Sequence, residues 1–133
     1  MDEPTPLPAR PATLRLVPMP KDTNAAGDIF GGWIMSQVDI AGSIAAARRA
    51  QGRIVTVAVN AFHFKAPVFV TDVVSFYAEV IKVGTTSLTV DVKVYAERGW
   101  RSPNPGEIAL VTDATLTYVA IDEQRRKRPV PPA

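Results

Sequence analysis

Apolar and polar residues are distributed differently in the two halves of the chain. From Gly31 to about Ala50 the sequence reads GGWIMSQVDIAGSIAAARRA, without proline, and nearly every position before Arg48 is apolar or small. This pattern predicts a helix buried on most of its sides rather than an ordinary surface helix. Asp28 precedes it as a candidate capping carboxylate, Arg48 and Arg49 fall in its last turn, and Gln51-Gly52 ends it. Four strand-like segments follow. Arg53 to Lys65 is rich in valine and phenylalanine and is broken by Ala66-Pro67, and Asp72 to Val83 is ended by Gly84. Thr86 to Glu97 is the clearest, with Leu88, Val90, Val92 and Val94 alternating against Thr89, Asp91 and Lys93. After a loop from Arg98 to Gly106, Glu107 to Ile121 forms the last segment. Ahead of the helix, Ala12 to Val17 is a short strand stopped by Pro18 and Pro20, followed by a polar loop from Asp22 to Asp28.

Strand, long buried helix and four long strands place the chain in the α+β class. Consecutive strands joined by short connections should form an antiparallel meander or a close variant of about five strands. A sheet of that extent curls, and the helix can lie in its concave face. The domain spans residues 12–122. Residues 1–11, with Pro4, Pro6, Pro8 and Pro11, form a flexible arm, and residues 123–133 form a basic, proline-rich tail.

Composition narrows the chemistry. With 133 residues, 47% of them hydrophobic, the chain suits one domain with its own core. Cysteine is absent, which removes disulfides, zinc-thiolate sites and thiol nucleophiles. The single histidine, His63, rules out a multi-histidine metal site within one chain. No apolar run reaches the length of a membrane span, and the N-terminus lacks the basic-then-apolar pattern of a signal peptide, so the sequence reads as a soluble cytoplasmic protein. Net charge is +2, with Arg125, Arg126, Lys127 and Arg128 in one run near the end. That run is either a solvated tail or a docking point for phosphate. It lacks the interleaved aromatics of a nucleic-acid binder.

Asp39 is the one ionisable residue between Gly31 and Arg48. A carboxylate among Met35, Val38, Ile40 and Ala41 is costly unless paired or hydrogen-bonded, so it is either a satisfied structural aspartate or a functional one. Upstream, Gly31-Gly32 opens the helix, where free backbone N–H groups can polarise a carbonyl oxygen. Asn24, in the preceding loop, can hold a water or the same oxygen. Gly31 and Asp39 are eight residues apart, which is about 12 Å along a helix axis. A carbonyl gripped at the helix start is too far from that helix's own aspartate, but a second, antiparallel helix would bring its aspartate within reach. The spacing therefore predicts a site shared by two subunits related by a two-fold axis. Ser43, one turn beyond Asp39, is placed to position the carboxylate or a water.

The run DTNAAGDIFGGWIMSQVDIAG, Asp22 to Gly42, resembles the signature of the YciA-type acyl-CoA thioesterases. These are relatives of the acyl-CoA hydrolases of the hotdog fold, in which a curved antiparallel sheet wraps one long helix. The resemblance continues through RIVTVAV (Arg53 to Val59), FKAPVFVTDVV (Phe64 to Val74), KVGTTSLTVDVKV (Lys82 to Val94) and ATLTYVAID (Ala114 to Asp122), covering roughly residues 12–125. It implies hydrolysis of acyl-CoA to free acid and CoA, within fatty acid metabolism and across a broad range of acyl chains. No metal or cofactor is implied, CoA being part of the substrate. It also implies that the aspartate matching Asp39 is base or nucleophile, that the asparagine matching Asn24 comes from the partner subunit, and that homodimers assemble into a hexamer, a trimer of dimers.

For CoA, the Gly84-Thr85-Thr86-Ser87 turn offers backbone N–H groups and hydroxyls, and the resemblance puts it near the pantetheine and nucleotide. Arg126 and Arg128 are candidates for the phosphates. Ile34, Val57 and Phe64 are candidates for an apolar acyl slot beside the helix. Two other functions compete. A hotdog dehydratase of hydroxyacyl thioesters needs a histidine paired with a carboxylate across the site, and His63, between Phe62 and Phe64, is poorly placed for that. A non-catalytic acyl-CoA-binding protein would have no use for an isolated carboxylate on the helix.

Overall fold

A computed structural model describes residues 5–133. The helix, α1, spans Gly31–Ala50 and lies against a five-stranded antiparallel sheet made of β1 (Leu14–Leu16), β2 (Ile54–Phe64), β3 (Val73–Val83), β4 (Ser87–Glu97) and β5 (Ile108–Ala120). A short 3-10 turn at Pro20–Asp22 leads into the loop before α1.

The sheet is curved because apolar side chains line one face and because its ladders are interrupted. On β4, Leu88, Val90, Val92 and Val94 are fully buried towards α1, while Thr89, Asp91 and Lys93 point the other way. The register shifts once between β3 and β4, once between β4 and β5, and twice between β2 and β5. Each bulge adds local twist, so the strands wrap the helix instead of lying flat. Ile34, Val38, Ala41 and Ala46 of α1 meet Val74, Phe76, Val90, Val92, Leu116 and Tyr118 in the core.

Strand order is β1-β3-β4-β5-β2. The meander expected from the sequence holds for β3, β4 and β5. β2 does not continue it: it pairs with β5 at the far edge, and the segment between β2 and β3 crosses under the start of α1, where the Ile29 N–H donates to the Val68 carbonyl at 3.0 Å. The helix is less enclosed than its composition predicts. Because the sheet does not close, Met35 and Ile40 remain 43% and 46% exposed on the side not covered by strands. The expected Asp28 cap is also absent. The N-cap is Phe30, which has no side-chain acceptor, and Asp28 lies two residues earlier, in the turn built on Asn24.

Beyond β5 the chain turns at Asp122, whose Oδ1 accepts the Gln124 and Arg126 N–H groups. It then runs back along the sheet end. The Arg128 N–H donates to Ala120, the Val130 N–H to Thr85, and Arg49 Nη1 to the Pro131 carbonyl at 2.6 Å. Val130 packs against Ala50, Leu88 and Ala120. Of the arm, residues 1–4 lie outside the described residues. Arg10 sets its guanidinium 5.4 Å from the Tyr77 ring centre. No helix among the described residues is long and apolar enough to cross a membrane.

Candidate active site

The loop before α1 is built around Asn24. Its Oδ1 accepts the Ala26 and Asp28 N–H groups at 2.9 and 3.1 Å, and its own N–H donates to the Asp28 carbonyl at 2.7 Å. This is the turn chemistry that favours asparagine. It leaves the Nδ2 amide without a partner among the described residues, so a donor stays available. At the helix start, the Phe30 carbonyl accepts from Trp33 and Ile34, and the N–H groups of Gly31 and Gly32 have no partner among the described residues. A cavity of about 360 Å³ is lined by Asn24, Gly31, Ile34, Phe64, Pro67 and Val68, among others. A Cβ at Gly31 would press on the Phe64 ring at 3.2 Å, whereas one at Gly32 would meet nothing within 4 Å. Gly31 thus reflects close packing, and Gly32 an open approach to the backbone.

Asp39 stands outside this cavity. It is half-buried on the side of α1 that faces the join of β2 and β5. Its Oδ1 accepts the Thr56 hydroxyl at 2.8 Å and the Tyr118 hydroxyl at 3.0 Å. Its Oδ2 has no partner among the described residues. Burial, reinforced by the Asp39 carboxylate alongside, pushes the Tyr118 hydroxyl far above the usual tyrosine range, so it remains a donor. Neither Thr56 nor Tyr118 was identifiable from sequence, since both look like ordinary strand residues. The one available signal was the alternation of β5, which turns Ala114, Leu116, Tyr118 and Ala120 towards α1 and so places a hydroxyl beside the helix. Ser43 donates to the Ile40 carbonyl at 2.7 Å, one turn back on its own helix.

The structure brings Asn24, Gly31, Ile34 and Phe64 together and holds Asp39 apart from them. Val57 is on neither side of that division: it is at one of the two bulges of β2 and is 54% exposed. The Gly84-Thr85-Thr86-Ser87 turn lies at the end of the sheet where α1 finishes. Its Thr85 and Thr86 carbonyls accept from Val130 and Ala120, and the Gly84 N–H donates to Ser87. The side chains of Thr85, Thr86 and Ser87 make no hydrogen bonds among the described residues. Arg126 extends from the same end, its Nε 3.3 Å from Asp122. The Arg128 guanidinium is directed inward, donating to the carbonyls of Ile121 at 3.0 Å and Arg53 at 3.4 Å.

His63 lies on the sheet face turned away from α1, with Nδ1 3.0 Å from Asp113 Oδ1, and Lys65 reaches the other oxygen of Asp113 at 3.3 Å. This pair belongs to the outer surface and does not face Asp39. Among the described residues no group of three or more His, Cys, Asp or Glu side chains could hold a metal ion.

Comparison with known proteins agrees with this architecture. The thioesterase superfamily model matches residues 26–102. The acyl-CoA thioester hydrolase YciA of Salmonella typhimurium is 48% identical over 118 residues, spanning 89% of this chain and 88% of the relative. The hexameric thioesterase y2039 from Yersinia pestis has a similar structure, with a TM-score of 0.88 at 47% identity over 95% of this chain and 100% of that one. HI0827, a hexameric broad-specificity acyl-coenzyme A thioesterase, gives 0.85 at 48% identity over 91% and 81%. With this hotdog architecture and these relatives, the chain belongs to the thioesterase superfamily, beside the YciA-type acyl-CoA thioester hydrolases.

Proposed function

We propose that this chain hydrolyses acyl-CoA to a free acid and CoA at a site assembled from two protomers. One observation carries the reading. The Asp39 carboxylate is half-buried, tied through one oxygen only, and separated from the cavity that Asn24 and Gly31 line in the same chain. A base and the amides able to hold a carbonyl do not meet within one protomer. A second α1, antiparallel beside the first, brings them together. The exposed apolar residues Phe30 at the N-cap, Met35 and Ile40 on α1 and Val57, Val59 and Phe64 on β2 give that second copy a surface to cover.

In this arrangement the thioester oxygen is held by the Gly31 and Gly32 N–H groups of one protomer, with Asn24 Nδ2 donating to it or to the attacking water. Oδ2 of Asp39 from the other protomer takes a proton from water as the water oxygen bonds to the carbonyl carbon. Collapse of the adduct breaks the C–S bond and expels CoA thiolate, a good leaving group. In the alternative route Oδ2 itself bonds to the carbon, thiolate leaves, and water hydrolyses the resulting anhydride. Neither route needs a metal or a separate cofactor. Ser43 accepts a hydrogen bond from the water, since its own proton is engaged. Ile34 and Phe64 line the acyl slot, with Val57 at its outer edge.

The free hydroxyls of Thr85, Thr86 and Ser87 and the exposed Arg126 form the contact for the CoA nucleotide and pantetheine, and Arg128 shapes the backbone around them. Asp39 and the end of α1 at Ala50 are eleven residues apart, about 16 Å along the axis, a span of the order of an extended pantetheine arm. Both of these solved relatives are hexameric, and a hexamer built from dimers is proposed here, with a broad acyl range. Asp39→Asn tests the assignment through thiol release from acyl-CoA. It should lower kcat roughly a hundred- to ten-thousandfold, with CoA binding retained. Turnover close to that of the unaltered protein would contradict it.

A further inference from the structure

The hold on Asp39 is one-sided, and its components come from three elements. Thr56 on β2 and Tyr118 on β5 are register partners, so their hydroxyls sit side by side on the face turned to α1. Both reach Oδ1, at 2.8 and 3.0 Å, and the Tyr118 hydroxyl is also 3.1 Å from the Asp39 carbonyl oxygen, so its one proton is shared. Tyr118 is fully buried, which fixes the hydroxyl in place. Space for that hydroxyl exists because residue 42 is glycine: a Cβ there would collide with the Tyr118 oxygen. Packing alone would be met by phenylalanine, whose ring fills the same volume without a polar group to satisfy. A tyrosine with a glycine opening opposite its oxygen is therefore an arrangement for delivering a hydrogen bond.

We infer that Tyr118 and Thr56 are positioning residues for the hydrolysis proposed above, with Gly42 as the opening that admits the tyrosine hydroxyl to Asp39. By occupying Oδ1 from the sheet side they fix the carboxylate plane and leave Oδ2 as the reactive oxygen, turned towards the thioester held by the other protomer. Because burial keeps the tyrosine protonated, the donor persists across the working pH range. The inference rests on Asp39 being the base or nucleophile.

The test uses the assembled enzyme, hexanoyl-CoA as the probe substrate, thiol release as the readout and thermal unfolding in parallel. Tyr118→Phe and Thr56→Val should each lower kcat roughly tenfold or more while KM stays within about twofold. Thr56→Ser, which keeps the hydroxyl, should restore most of the rate. Gly42→Ala should lower kcat in the presence of Tyr118 and add little in the Tyr118→Phe background, since the hydrogen bond is already gone. Thr56 is on an exposed edge strand, so Thr56→Val and Thr56→Ser keep the test open if a Tyr118 variant fails to fold. Unchanged kcat in Thr56→Val or Tyr118→Phe, or losses that appear in KM instead, would overturn the positioning role. If Asp39→Asn is inactive while both variants turn over normally, only this inference fails. If Asp39→Asn itself stays active, the function proposed above fails first.

Discussion

Asp39 and Asp72 are both aspartates drawn away from solvent, and their hydrogen bonds give them different tasks. Asp72 is 1% exposed and both of its oxygens are engaged: Oδ2 by Arg98 Nη1 at 2.7 Å and the Phe69 N–H at 2.9 Å, Oδ1 by the Gly99 N–H at 3.2 Å. It ties the segment before β3 to the loop between β4 and β5. Removing it in Asp72→Ala leaves Arg98, itself only 12% exposed, with the Pro67 carbonyl but without its carboxylate partner. The expected loss is about 3–5 kcal/mol in chemical denaturation, and a loss below about 1 kcal/mol would show that the pair carries little. Asp113 is a milder case. Its hydrogen bond from His63 holds its carboxyl below the usual range against an opposing push from burial, with Lys65 adding to the lowering. A carboxyl depressed on folding stabilises the protein above its unfolded value of about 3.9 and loses that contribution as pH falls through the folded value. Unfolding midpoints of the protein and of Asp113→Asn should therefore differ slightly at pH 6 and converge on acidification, and a gap that widens would contradict this. Sequence alone distinguished Asp39 because no other ionisable residue falls between Gly31 and Arg48. It did not distinguish Asp72, which looked like the polar start of a strand, or Tyr118, whose partner lies 79 residues away.

At the scale of elements, local signals placed the boundaries well and left the pairing open. The glycine pair and Gln51-Gly52 bracket α1 at Gly31–Ala50, and alternation on β4 locates that strand to within a residue. The position of β2 was not legible, because pairing with β5 depends on where the crossing segment packs and not on any property of β2 itself. The capping expectation for Asp28 failed because the Asn24 turn includes it and the helix begins only after Phe30, two residues beyond. The C-terminal segment belongs here too. Its hold on the sheet end runs through Arg128 to Ile121 and Arg53, through Val130 to Thr85 and through Arg49 to Pro131. Arg128→Ala should cost about 1–2 kcal/mol and raise hydrogen exchange at the Val130 amide. Unchanged protection at Val130 would mean that the other two anchors suffice.

The whole protomer has one face that its own sheet does not cover. The edge strand β2 and the adjoining side of α1 expose apolar residues, and the two halves of the candidate site border the same side without meeting. The helix spacing put Gly31 and Asp39 too far apart to act on one carbonyl within a chain, but the open face was not legible, since the composition of α1 reads as buried on most sides, and neither was the clamp on the carboxylate, which depends on contacts across the fold. The central claim is that one protomer supplies Asp39 and another supplies Asn24 and the helix amides. Mixing subunits tests it most directly: Asp39→Asn and Asn24→Ala proteins, each inactive alone, are unfolded, combined in equal amounts and refolded together. Random pairing should restore about a quarter of the unaltered activity, because half the dimers are mixed and each of those has one intact site. Mixtures that stay as inactive as the separate variants, although size measurements show that the subunits have exchanged, would contradict a shared site.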